Sequence, residues 1–490
     1  MVRLFRVFSI LMLALMLALG SAAHAQGTFD SQSVDAYLSR MQQLYEIPGM
    51  GVAIVRDGKV IFAKGYGVRD VETKAPVTPQ THFSIGSITK SMTVLAAMRL
   101  VEAGKLSLDT PIVEYLPEFT LRDAAHANAV TLRHLFSHTS GIPLAELAWY
   151  NGEVTDAEGM LAHLAAQPVQ SALGARYEYN NWGYALAGLV LERVTGKPYA
   201  DYLREAVLAP LAMPTATLSY AAMQQTTDFA TPHRFDLRKG AQRIPFFAYL
   251  DQVIAPAGAV TANVLEMANY AIFQMGDGTF QNTPILSAQS LTEMHTPIKD
   301  GYGLGWVTTD LEGFQTVWHN GAIDGFAAVL AMAPEQQTAV IILSNGDHSD
   351  NPNVVEMLAA GALYLTINPQ SADSLETLTA GFKAFDPKVR AERFAALRAF
   401  TPDPSQYAAY AGKYASLFAQ IEVNVRDGAL YADVVQQGVS MSFELVEFAP
   451  RSFIGNLTGL MNDVFSFRLN ENGSVTLLQN ETVIAVKPAQ

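Results

Sequence analysis

Ser87 and Lys90 stand three residues apart in the run Phe83-Ser84-Ile85-Gly86-Ser87-Ile88-Thr89-Lys90, with a glycine just before the serine and a long apolar stretch behind the lysine. The spacing from Ser87 to Glu102 is helical and Gly104 ends it, so the pair is predicted at the first turn of a helix. Residues i and i+3 share a helix face, and the hydroxyl and the amine then project together. A helix N-terminus adds unpaired N–H groups and a positive dipole end, which favour a developing alkoxide or oxyanion. A lysine buried beside a serine loses its proton more readily and can then help activate the hydroxyl. The chemistry open to this pair is attack by the serine on a carbonyl carbon. Serines near helix starts are commonly caps and Ser-x-x-Lys arises often by chance, so the reading needs partners elsewhere.

Two distant stretches supply them. Residues 177–184 read Tyr-Glu-Tyr-Asn-Asn-Trp-Gly-Tyr, in which Tyr179-Asn180-Asn181 forms a Tyr-x-Asn element before a helical run. Residues 318–321 read Trp-His-Asn-Gly, a His-x-Gly element from His319 to Gly321 on a predicted strand. With Ser-x-x-Lys, Tyr-x-Asn and His-x-Gly in this order, the chain resembles the serine β-lactamase and penicillin-binding-protein superfamily. The branch is the one holding class C β-lactamases, D-aminopeptidases, D-alanyl-D-alanine carboxypeptidases and related esterases. The stretches "LRHLFSHTSGIP" at 132–143, "GYGLGW" at 301–306 and "GKLSLDTPIVEYLPEF" at 104–119 are also similar to segments of that family. The resemblance covers about residues 30–365.

The resemblance implies roles. Ser87 would be acylated, and Lys90 and Tyr179 would form the proton-transfer network, with the choice of formal base between them left open. Asn181 would hold Lys90 and the substrate amide, and His319 and Gly321 would lie on the strand lining the cleft. The backbone N–H groups of Ser87 and Ala322 would form the oxyanion hole. No cofactor and no metal are implied. Family β-lactamases typically carry a lysine where this chain has His319, whose charge is expected to be fractional near neutral pH. That favours small esters, amides or D-residue-containing peptides over β-lactams as substrates. A β-lactamase or penicillin-binding carboxypeptidase, and a non-catalytic binding or regulatory protein on the same fold, remain as alternatives. Asn180 stands where serine or alanine is more usual, and its side chain is expected to point away.

Competing signals are weaker. His134 and His138 have zinc-helix spacing, but "HLFSH" lacks the glutamate of His-Glu-x-x-His. The glycines at 301, 303 and 305 have no crossover unit around them, and no Gly-x-Ser-x-Gly elbow occurs.

The elements that must position these residues can also be read. Asp57-Gly58 between two β-branched runs predicts a hairpin over residues 50–68. Helical spacing follows at Thr131–Phe136, Thr155–Ala166, Tyr184–Thr195 and Tyr199–Val207, and β signals return over 302–345. This order predicts an α+β, β-lactamase/transpeptidase-like domain: an antiparallel sheet with flanking helices and a helical subdomain. Helical spacing at 374–400, a break at "TPDPSQ" and short alternating segments with turns at Asp427-Gly428 and Asn472-Gly473 follow. They predict a small all-β, lipocalin-like barrel. The boundaries are a signal peptide at 1–25, the hydrolase domain at 26–370, a helical linker at 371–404 and the barrel at 405–490.

Arg3 and Arg6 before an apolar run from Ile10 to Leu19, then Ala23-His24-Ala25, read as a cleavable export signal. The expected location is periplasmic or secreted. Absence of cysteine excludes disulfides, thiolate metal sites and a lipid-modified N-terminal cysteine. Without the two leader arginines, 30 basic residues face 46 acidic ones, a net charge of −16. This argues against nucleic acid and anionic membrane surfaces as partners, and no stable membrane insertion is expected after cleavage. The expected partner is a small-molecule or peptide substrate.

Overall fold

The structure is a computed structural model and describes residues 29–144, 147–236, 239–311, 313–347, 354–371, 395, 397–416, 420–436, 439–456, 464–479 and 482–488. Asp57 and Gly58, at φ of 50° and 70°, close the predicted hairpin between β1 (Gly49–Arg56) and β2 (Lys59–Gly67). Four later strands, β3 (Val307–Leu311), β4 (Phe314–Ile323), β5 (Phe326–Ala333) and β6 (Thr338–Ser344), complete an antiparallel sheet in the order β2-β1-β6-β5-β4-β3. The β1–β6 register runs from Met50 opposite Ser344 to Arg56 opposite Thr338, joining the early hairpin to the late strands.

Five helices frame the sheet and the site: α1 (Ser31–Leu44), α2 (Thr89–Glu102), α3 (Asn181–Thr195), α4 (Val264–Gln274) and α5 (Val354–Ile367). Alternation along the strands divides the apolar side chains between two cores. Val52, Ile54, Val340 and Ile342 pack with α1 and α5, whereas Ala53, Val55, Ile341 and Leu343 pack with α2 and α4. Residues 89–98 of α2 are all buried, Lys90 included, so the helix that follows Ser87 is a core element.

The helix predicted to start at Ser87 is a 3₁₀ turn, Gly86–Ile88, that runs into α2. In a 3₁₀ turn side chains three apart eclipse, which preserves the alignment of Ser87 with Lys90. The other predicted helices appear at Leu132–Phe136, Ala157–Ala166, Asn181–Thr195 and Tyr199–Leu203, the last continuing as a π turn to Leu208. Residues 372–394, which hold most of the predicted helix over 374–400 and of the linker, lie outside the described residues.

The C-terminal strands β7 (Gly412–Tyr414), β8 (Gln420–Arg426), β9 (Ala429–Gln436), β10 (Val439–Ala449), β11 (Ser452–Asn456), β12 (Val464–Leu469), β13 (Val475–Gln479) and β14 (Thr482–Lys487) pair in sequence order. Ala415 and Val486 exchange backbone hydrogen bonds at 2.8 and 3.0 Å, which brings the last strand back to the first in a nearly closed barrel. Aromatic residues fill its interior, with Tyr410 stacked on Phe467 at 4.6 Å. Phe235 of the first domain joins Leu397, Val446 and Ile454 in a small apolar cluster. Among the described residues no helix is long and apolar enough to cross a membrane.

Candidate active site

Backbone geometry places Ser87 before any side chain acts. Gly86 has φ 49°, and a Cβ on it would lie 2.6 Å from the Ala322 nitrogen. A Cβ on Gly321 would lie 1.9 Å from the Ile85 carbonyl oxygen and 2.8 Å from the Ser87 nitrogen. Only glycine at both positions lets β4 press backbone to backbone against the turn carrying Ser87. The amide nitrogens of Ser87 and Ala322 both border that contact.

Lys90 reaches back from the first turn of α2. Its Nζ lies 3.0 Å from Ser87 Oγ, 2.7 Å from Asn181 Oδ1 and 2.8 Å from the Ala257 carbonyl. Asn181 opens α3, whose N-cap Asn180 accepts from the Gly183 N–H at 3.3 Å. The segment carrying Ala257 is tied to α2 by Thr93 Oγ1 donating to the Pro256 carbonyl and by the Val260 N–H donating to Thr89 Oγ1. These three acceptors of Lys90 are neutral. As an ammonium it donates to all of them. As an amine it keeps two N–H bonds on Asn181 and Ala257 and turns its lone pair to the Ser87 hydroxyl. Either protonation state fits without movement.

Aromatic rings enclose the amine. Lys90 Nζ sits 4.8 Å from the centroid of Tyr179 and 5.4 Å from that of Tyr184, whose hydroxyl donates to the Phe136 carbonyl. His319 is only 1% exposed. Its Nδ1 faces the Asn320 carbonyl, which can only accept, so Nδ1 carries the proton and Nε2 accepts from the Tyr302 hydroxyl at 2.9 Å. Burial, reinforced by Lys90, lowers the His319 pKa to about 3. The fractional charge expected near neutral pH is therefore corrected: the imidazole is neutral there, because desolvation first, and then the positive charge of Lys90, disfavour its cation.

Behind this strand, Asn320 Nδ2 donates to Glu356 Oε1 at 2.6 Å, and burial pushes the Glu356 carboxyl from 4.5 up to about 7. The folded protein keeps this proton after the unfolded chain has released it, so stability falls as pH rises from about 4.5 to about 7. Glu356→Gln retains an acceptor for Asn320 and is expected to remove that fall, roughly 1–3 kcal/mol. Urea midpoints measured across this range for parent and variant provide the check, and an unchanged decline in the variant contradicts the assignment.

Other residues of the site lie outside the three motifs. Ala257 contributes a backbone carbonyl, and Tyr302 orients His319. His138, first read against a zinc site, lies among the tyrosines, while His134 closes a capping box with Thr131 on its own short helix. Among the described residues no group of three metal-ligating side chains occurs. The Asn180 side chain turns from Lys90 toward the Ile142 and Pro143 carbonyls.

A family model described as Beta-lactamase matches residues 34–363. The chain belongs to the beta-lactamase family. Among curated relatives, Protein flp of Staphylococcus aureus (strain MW2) is 27% identical over 343 residues, covering 68% of this chain and 66% of that protein. Unguisins hydrolase ungD' of Aspergillus campestris (strain IBT 28561) is 29% identical over 324 residues, covering 63% of this chain and 60% of the relative. The match thus spans less than two thirds of these relatives' length, 66% of one and 60% of the other. A solved structure, the octameric penicillin-binding protein homologue from Pyrococcus abyssi, aligns with TM-score 0.60 and 25% identity over 94% of this chain and 100% of that one. Coverage of that extent takes in the C-terminal barrel as well as the beta-lactamase domain, and both architectures are those expected from the sequence.

Proposed function

We propose that this protein is an exported serine hydrolase that acts through an acyl-Ser87 intermediate on small esters, amides or D-residue-containing peptides. The observation that carries the reading is the Lys90 amine 3.0 Å from Ser87 Oγ, held from behind by Asn181 and Ala257. Ser87 Oγ attacks the substrate carbonyl as its proton passes to the Lys90–Tyr179 network, and the oxyanion is received by the N–H groups of Ser87 and Ala322. The network returns the proton to the leaving group, and a water then hydrolyses the acyl ester by the reverse transfers. Asn181 holds Lys90 and the substrate amide. The family supports hydrolase chemistry, as does the relative named a hydrolase. Export rests on the leader-like residues 1–25.

Neutrality of His319 bears on substrate choice. A substrate carboxylate at this point meets an uncharged imidazole and forgoes a charge-assisted hydrogen bond, which contributes about 1.5–3 kcal/mol. That corresponds to roughly ten- to hundredfold in kcat/KM. Short acyl p-nitrophenyl esters or D-amino-acid amides are therefore expected to give a higher kcat/KM than nitrocefin. A higher value for nitrocefin would replace the substrate class and leave the acyl-enzyme intact. The Pyrococcus abyssi protein is described as a penicillin-binding protein homologue, and that supports one second reading, penicillin binding by this chain. It predicts a stoichiometric burst with penicillin and little turnover of esters in the same experiment.

A further inference from the structure

His138 takes no part in these steps, yet it combines several features that a core histidine rarely needs. Its backbone is left-handed, at φ 58°, a conformation uncommon for any residue but glycine. Its carbonyl accepts from the Glu178 N–H at 2.8 Å, and its Nδ1 accepts from the Asn180 N–H at 3.1 Å. Both amides flanking Tyr179 therefore end on this one residue. The imidazole lies 4.3 Å from the Tyr179 ring, centroid to centroid, with Tyr302, Tyr184 and Tyr177 at 4.9, 5.3 and 5.7 Å. Burial first, then Lys90 and His319, keep its pKa well below the usual 6.5, so it stays neutral. A neutral imidazole accepting at Nδ1 carries its proton on Nε2, and that nitrogen is buried without a hydrogen-bond partner among the described residues. Unsatisfied donors and left-handed non-glycine residues both destabilise a fold, and such costs gather where function requires them.

We propose that His138 is a positioning residue, which clamps residues 178–180 through its carbonyl and Nδ1 and so fixes the Tyr179 hydroxyl relative to Ser87 and Lys90. The inference rests on the reading above, in which Ser87 is acylated and Tyr179 carries protons. Its consequence is selective. A displaced Tyr179 weakens proton delivery to the leaving group, which matters most when that group is a poor one, such as an alkoxide or amine. Simple loosening of the fold would instead lower turnover of every substrate alike.

The test compares His138→Phe, which keeps a ring but removes the acceptor, with His138→Asn, which restores an acceptor and tolerates the left-handed backbone. Concentrations of competent enzyme are set by phosphonate labelling of Ser87. His138→Phe is expected to lose about 10²-fold in kcat/KM on alkyl esters and less than about tenfold on p-nitrophenyl esters. His138→Asn should stay within about tenfold of the parent with the parent's leaving-group dependence. In a Tyr179→Phe background, His138→Phe should add less than about threefold, since the two changes act on one step. Equal losses on both ester classes, an undiminished effect in the Tyr179→Phe background, or no loss at all would overturn the proposal. Should the phenylalanine variant not fold, the asparagine variant decides alone, and an altered leaving-group dependence in it counts against the clamp. Failure of the parent to label at Ser87 is a separate outcome, which removes the proposed function and this inference with it.

Discussion

Replacing Lys90 with methionine is expected to lower the rate of the proposed Ser87 acylation by a factor on the order of 10²–10⁴, the usual worth of a general acid–base group. Methionine is unbranched and apolar, so it fills the buried slot at the start of α2 without steric conflict. What it removes is the nitrogen 3.0 Å from Ser87 Oγ and the donor to Asn181 and Ala257. Each acceptor left bare costs about 1–3 kcal/mol, so a lowered melting temperature accompanies the kinetic loss. Burst kinetics on a p-nitrophenyl ester separate acylation from later steps, and competent enzyme is counted by titration. An acylation rate close to the parent's would take Lys90 out of the proton pathway and leave that work to Tyr179.

Gly321→Ala is expected to be nearly as damaging, although it adds one methyl group. The new Cβ would stand 1.9 Å from the Ile85 carbonyl oxygen and 2.8 Å from the Ser87 nitrogen, both backbone atoms. Relief requires β4 and the turn of Ser87 to separate, and with them the amides of Ser87 and Ala322. Loss of one oxyanion donor costs about 10²–10³ in kcat, so at least a hundredfold fall is expected. Michaelis kinetics with competent enzyme counted by titration check it. A variant with more than half of the parent's kcat/KM would mean that the two amides do not act together on an oxyanion.

The parts legible in the sequence are those governed by local rules. Asp57-Gly58 and Asp427-Gly428 close hairpins with the left-handed angles the dipeptide provides. Ser87, Lys90 and Asn181 each sit at a helix start, where capping and spacing restrict what a side chain can do, and the fold brings them within hydrogen-bonding distance of the Lys90 amine. Long-range contributions were hidden. Ala257 offers a carbonyl that any residue would offer, 167 positions from Lys90 along the chain. His138 shares no helix face with His134 because that helix ends at Phe136 and the backbone then turns left-handed. Neutrality of His319 depends on burial and on Lys90, neither of which a lone His-x-Gly element discloses. Glu356 acquires its raised pKa only because α5 packs on β5 and β6 and buries the carboxyl beside Asn320 of β4.

Covalent labelling tests the central claim most directly. The parent enzyme treated with a fluorescent serine-directed phosphonate is expected to gain one adduct by intact mass, mapped to Ser87 by peptide sequencing, and to lose turnover in parallel. Ser87→Ala is expected to remain unlabelled and inactive while folding as the parent does. An adduct on another residue, or a Ser87→Ala protein that still hydrolyses ester at the parent's rate, would contradict the account.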